Sequence, residues 1–92
     1  MTRYFVDIKE KAQMDLQKLK NSEPQSYKKA LKLIAELYDH PTTGTGHPEP
    51  LKGQPEGRWS RRITSKHRLV YRVLDTEVIV LVLSAYGHYG DK

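Results

Sequence analysis

The sequence predicts an α+β domain with two helices packed on one side of a mostly antiparallel sheet, and three observations lead there. A short aromatic and β-branched run opens the chain, two amphipathic stretches follow it, and at least three strand-like runs come after a Pro-rich loop. With 92 residues, 37% of them hydrophobic and 29% charged, the chain is expected to form one folded domain spanning residues 1–92.

Residues 3–8, Arg3-Tyr4-Phe5-Val6-Asp7-Ile8, carry the residue types that favour a pleated strand. From Lys9 to Lys20, Ala12, Leu16 and Leu19 recur at helical spacing, with Lys and Gln on the other faces. Ser22 is placed to cap a second helix, with Gln25 completing a capping box and Pro24 tolerated in the first turn. That helix runs to about Tyr38. Tyr27, Leu31, Ile34 and Tyr38 form its apolar stripe, Ala30 and Leu37 lie beside them, and Lys28, Lys29, Lys32 and Glu36 point away. His40 follows as a cap or solvent residue.

Residues 41–57 contain Pro41, Pro48, Pro50, Pro55 and four glycines, so no regular element is expected there. A loop of that length in so small a domain often serves function. Beyond it, residues 59–64 and 68–73 alternate as strands around the turn Ser65-Lys66-His67. After the turn Asp75-Thr76-Glu77, residues 78–83 are apolar on both faces, which suits a strand in mid-sheet.

The net charge of +5 is concentrated in one block. Lys52, Arg58, Arg61, Arg62, Lys66, Arg68 and Arg72 are opposed within it only by Glu56, a charge footprint suited to a phosphate backbone. Without cysteine there are neither disulfides nor thiolate metal sites. The four histidines and eleven carboxylates form no metal-ligand spacing, and no Gly-rich loop precedes a helix, so neither metal nor nucleotide cofactor is expected. The N-terminus lacks the pattern of a signal peptide, and the longest apolar run, Val78 to Leu83, is too short to span a bilayer. The expected setting is cytoplasmic, with no membrane partner.

What remains is a basic hairpin preceded by one carboxylate, Glu49, and followed by one histidine, His88. Cleaving RNA without a metal takes a base for the 2′-hydroxyl proton, cations to stabilise charge at phosphorus, and an acid for the departing 5′-oxygen. Histidine titrates near working pH and suits the acid, whereas glutamate is an ordinary weak base unless its surroundings change it. Taken singly, a loop glutamate is usually a solvated charge. Tyr86 and Tyr89, beside His88, are of the type that stacks on unpaired bases or covers a core.

Four segments carry a resemblance: Gly46-His47-Pro48-Glu49-Pro50-Leu51-Lys52, Trp59-Ser60-Arg61-Arg62-Ile63-Thr64, His67-Arg68-Leu69-Val70-Tyr71 and His88-Tyr89. Together they resemble the YoeB/Txe family of the RelE-like superfamily, densely from Gly46 to Tyr89 and by length and helix order before that. The resemblance implies a RelE-like microbial RNase fold and a ribosome-dependent endoribonuclease, an mRNA interferase that cuts mRNA in the ribosomal A site. It also implies a cognate antitoxin as partner, beside the ribosome and mRNA. Carried over by motif, Glu49 would be the general base, Arg68 would stabilise the transition-state phosphate, and His88 would be the general acid. Tyr89 would position substrate, Lys52 and Arg62 would hold phosphates, and Arg61 joins them as a substrate-binding residue.

Two departures stand out: Gly90-Asp91-Lys92 follow the His-Tyr pair, and Tyr86 replaces an expected basic residue. Homodimerisation is compatible with the two-sided apolar strand. A competing expectation is a basic module that blocks RNA or ribosome without chemistry. A third is the ParE branch of the same fold, which targets DNA gyrase and lacks the Glu, Arg and His set.

Overall fold

The computed structural model describes residues 3–52 and 57–87. In chain order these form β1 (Phe5–Ile8), α1 (Glu10–Ser22), α2 (Pro24–Leu37), β2 (Glu49–Pro50), β3 (Arg58–Arg62), β4 (Arg68–Leu74) and β5 (Ile79–Ser84). The sheet order is β1-β5-β4-β3-β2, with β1 parallel to β5 and every other pairing antiparallel. The expected α+β class is therefore the observed one, and β5 lies inside the sheet as its apolar run requires.

Alternation along the strands separates two faces. Leu69, Tyr71, Val73, Val80 and Val82 join Ala12, Leu16, Leu19, Ala30, Leu33, Ile34 and Leu37 in one core between sheet and helices. Each fully buried aliphatic side chain there contributes about 1.5–3 kcal/mol. The other face, which carries Ser60, Arg62, Arg68 and Arg72, is left open by the helices.

The helix junction departs from the capping expectation. Ser22 ends α1 rather than starting α2, because its Oγ donates to the Lys18 carbonyl at 2.8 Å, the back-bond a hydroxyl makes inside a helix. Glu23 occupies the junction instead, and Pro24 opens α2 where its missing N–H costs nothing. The apolar stripe of α2 is also rotated from the expected one. Ser26, Ala30, Leu33, Ile34 and Leu37 face the core, Tyr27 and Tyr38 are half-buried flanks, and Leu31 is exposed. Leu31 and Leu33 both fit a helical period, and the sheet selects Leu33.

Glu36, expected to point away, is drawn to Arg61. The Arg61 guanidinium is fully buried, and its five N–H groups are all engaged: Nε donates to Tyr71 Oη, Nη1 to Glu36 Oε1 and the Thr45 carbonyl, and Nη2 to the His40 and Thr43 carbonyls. Tyr71 Oη in turn donates to the Pro41 carbonyl at 2.7 Å. The Pro-rich loop thus folds around one cation. Burial works to raise the Glu36 carboxyl pKa, but hydrogen bonds from Thr45 and the charge of Arg61 outweigh it and hold the value below normal. Gly44 sits at φ +113, where an added Cβ would lie 2.5 Å from Glu36 Oε1, so the loop can close on Glu36 only with glycine there.

Removing one partner of this pair strands a buried charge. Glu36→Ala is expected to lower unfolding free energy by about 3 kcal/mol, read from urea denaturation, with Glu36→Gln costing less because an acceptor remains.

Candidate active site

The loop anchored by Arg61 delivers Glu49 to the sheet. Arg62 N–H donates to the Gly46 carbonyl at 2.7 Å, His47 takes a positive φ of 53°, and Glu49 then pairs with Ser60 and Pro50 with Trp59. Residues 41–57 were expected to hold no regular element, and this two-residue edge strand corrects that. Pro50 is tolerated because an edge position need not donate to a further strand.

Pairing places Glu49 and Ser60 on the open face, with Val70 next across the sheet. Val70 is buried yet lies outside the helix-side core. Arg68 Nη1 donates to Ser60 Oγ at 3.4 Å, so the guanidinium leans toward the row that begins at Glu49. From strand spacing and register, the Cα atoms of Glu49 and Arg68 are separated by roughly 12 Å, a gap that two long side chains and a phosphate can fill.

Arginine pairs flank this row on both sides. Arg62 stands directly opposite Arg68, and Arg58 directly opposite Arg72. Like charges opposed across a ladder cost up to about 1 kcal/mol, a cost that an anion bound between them would reverse. Arg58 Nε is buried without a hydrogen-bond partner among the described residues. Arg58 and Arg72 were counted in the basic block but given no role; their shared face appears only once the register is known.

Beside Arg58, a cavity of about 430 Å³ is lined by Lys11, Val70, Leu83, Ser84, Tyr86 and Gly87. Its shape follows from a bulge: Val70 pairs with Ser84 while Tyr71 pairs with Val82, leaving Leu83 as an extra residue in β5. Such bulges re-aim side chains, and here consecutive residues line one cavity.

The expected site residues fall into four groups. Glu49, Arg62 and Arg68 share the open face, with Glu49 and Arg62 solvent-exposed. Lys52 is exposed in the turn after β2, at the opposite end of the β2 and β3 ladder from Arg62. Arg61 is corrected: alternation turns it to the helix side, where it is buried with its donors satisfied, so it holds the loop and not a substrate phosphate. His88 and Tyr89 lie outside the described residues.

The chain just before them is well anchored. Asp15, buried on α1, accepts from Ala85 N–H at 3.0 Å and from Lys11 Nζ at 2.9 Å. Tyr86, read above as a residue that stacks on unpaired bases or covers a core, packs its ring 4.4 Å from His67, with Lys18 Nζ 4.4 Å from its centroid. His67, read from sequence only as a turn residue, is buried and joins Glu23 Oε2 through Nε2 at 2.9 Å. The hydrogen bond from His67 leads the effects that hold the Glu23 carboxyl pKa below its usual value.

A basic, arginine-lined sheet face with one carboxylate at its edge thus stands on a small α+β scaffold. The comparisons narrow this. Residues 8–89 match the model of the YoeB-like toxin of bacterial type II toxin-antitoxin systems, and the chain belongs to that family. Toxin YoeB of Mycobacterium bovis is 52% identical over 58 residues, covering 63% of this chain and 66% of the relative, just under two thirds of that relative's length. Among solved structures, the YoeB/ParE toxin from Agrobacterium tumefaciens superposes with a TM-score of 0.83 at 34% identity, covering 92% of this chain and 99% of that one. The YoeB dimer from Staphylococcus aureus gives 0.80 at 30% identity, covering 96% and 100%; the YoeB-YefM complex from the same organism gives 0.76 at the same identity and coverage.

Because its pKa is lowered on folding, Glu23 contributes stability that is complete above the normal carboxylate value and is lost as pH falls through the lowered one. The melting-temperature gap between wild type and Glu23→Gln is expected to be largest at neutral pH and to close as pH falls through and below the ordinary carboxylate range.

Proposed function

We propose that this protein is the toxin of a type II toxin–antitoxin pair, a ribosome-dependent endoribonuclease that cuts mRNA in the ribosomal A site and so inhibits translation. Membership of the YoeB-like family supports the class. The observation that carries the chemistry is the open face on which Glu49, Arg62 and Arg68 stand in register.

In this reading Glu49 removes the 2′-hydroxyl proton, and the freed oxygen attacks the adjacent phosphorus. The bond to the 5′-oxygen breaks, leaving a 2′,3′-cyclic phosphate, and His88 protonates the departing oxygen. Arg68, steadied by Ser60, stabilises the charge that develops on the phosphoryl oxygens, and Arg62 and Lys52 hold neighbouring phosphates. Tyr89 positions the substrate. No metal or cofactor takes part in this scheme. The partners are the ribosome, mRNA and a cognate antitoxin, the last supported by the Staphylococcus aureus relative solved with YefM. Its dimer makes self-association of this chain a matching expectation, and cytoplasm is the compartment where ribosomes are met.

Primer extension on a reporter mRNA in a bacterial translation extract tests the reading. Wild type is expected to give cuts within codons only when ribosomes are present, and Glu49→Gln and Arg68→Ala to lose about 100-fold or more of that rate. Intact mRNA on stalled ribosomes would overturn cleavage in favour of steric blocking.

A further inference from the structure

His67 occupies a position that neither fold nor proposed chemistry demands by itself, yet its ring is buried at the point where the chain leaves the sheet. Its own backbone is fixed twice in the turn after β3. The His67 carbonyl accepts from Ile63 and Thr64 N–H at 3.0 and 3.1 Å, and its N–H donates to Thr64 Oγ1 at 3.2 Å. The ring is held from both nitrogens. Nε2 faces the Glu23 carboxylate at 2.9 Å, while Nδ1 lies 2.9 Å from the Gly87 amide nitrogen.

These contacts select one tautomer of the neutral ring. A backbone N–H can only donate, so Nδ1 must present its lone pair, and the ring proton must sit on Nε2, aimed at Glu23. Carboxylates commonly set the tautomer of a functional imidazole in this way. The Gly87 peptide is also gripped from its other side, since its carbonyl accepts from Arg68 N–H at 3.0 Å. Both polar atoms of Gly87 are therefore held by the consecutive residues His67 and Arg68. Gly87 has φ +88, and none of the described residues lies within 4 Å of an added Cβ, so backbone direction calls for glycine.

We infer that His67 is a positioning residue: as the Nε2–H tautomer it fixes the Gly87 peptide, which precedes His88 in sequence, against the same strand end that carries Arg68. The inference rests on the cleavage reading above. It makes the first two residues of this strand end a common reference for the transition-state cation and the chain leading to the acid. Asp15 at Ala85 and the Tyr86 ring beside His67 secure the intervening residues.

Two substitutions separate the contacts. His67→Asn offers an amide oxygen near the Nδ1 position, where Gly87 donates, whereas His67→Gln offers an amide nitrogen near the Nε2 position, where Glu23 accepts. His67→Leu keeps bulk beside Tyr86 and accepts nothing, so it replaces His67→Gln if that variant does not fold. Each is assayed by single-turnover cleavage on mRNA-programmed ribosomes at increasing ribosome concentration, together with its melting temperature. Loss of Gly87 anchoring is expected to lower the maximal rate about 100-fold in His67→Gln and His67→Leu, with the half-saturating ribosome concentration unchanged, and His67→Asn is expected to stay within a few-fold of wild type. Wild-type rates in His67→Gln or His67→Leu would overturn the inference, as would equal losses in all three variants that track melting temperature. A wild-type protein that leaves mRNA intact would overturn the cleavage reading and this role with it, an outcome told apart by needing no variant.

Discussion

The buried guanidinium of Arg61 is the contact on which the open face depends. A charge removed from water is tolerated only when each donor finds an acceptor, and Arg61 meets that demand with Glu36, the Tyr71 hydroxyl and three loop carbonyls. Carbonyls from residues 40 to 45 are thereby gathered against α2 and β3, in a stretch too rich in glycine and proline to form helix or strand. The loop leaves that anchor along a single course, through Gly46 and His47, and reaches the sheet edge with Glu49 opposite Ser60. A residue inside the helix-side layer thus sets the position of a carboxylate on the other face.

Much of this architecture was legible in the chain because hydrophobic period reports burial directly. Ala12, Leu16 and Leu19 are all buried as their spacing requires, and β3, β4 and β5 fall within a residue or two of the expected strands. The α2 stripe was misread because Leu31 and Leu33 satisfy the helical period equally, and only the sheet distinguishes them. Ser22 and Glu36 were misread because a polar side chain has several local uses, and the choice between them is made by residues far along the chain.

The site was legible in its residue types and much less so in its geometry. Arg61 and Arg62 are adjacent, equally basic and part of one motif, yet alternation sends one inward and the other outward. A strand's facing can be read from pattern only when its apolar side is plain, and in Trp59-Ser60-Arg61-Arg62 a cation occupies an inward position. The row of opposed arginines needs register between β3 and β4, which depends on the turn geometry as well as on composition. The contacts of His67 were not legible although it heads one of the motif segments, since its partners lie 44 and 20 positions away along the chain.

The parallel pairing of β1 with β5 has a consequence for biosynthesis. Phe5 stands beside Ile79 and Ile8 beside Val82, so β1 waits for β5, the last of the described strands to be translated, and the place between β1 and β4 stays vacant until then. Such distant contacts slow folding, because a long loop must close before any of them forms. While residues 79–84 are still within the exit tunnel, the nascent chain has neither its full sheet nor the bulge that shapes the cavity beside Arg58. Completing the sheet and that cavity is therefore a late step of folding, which waits for residues 79–84 to emerge.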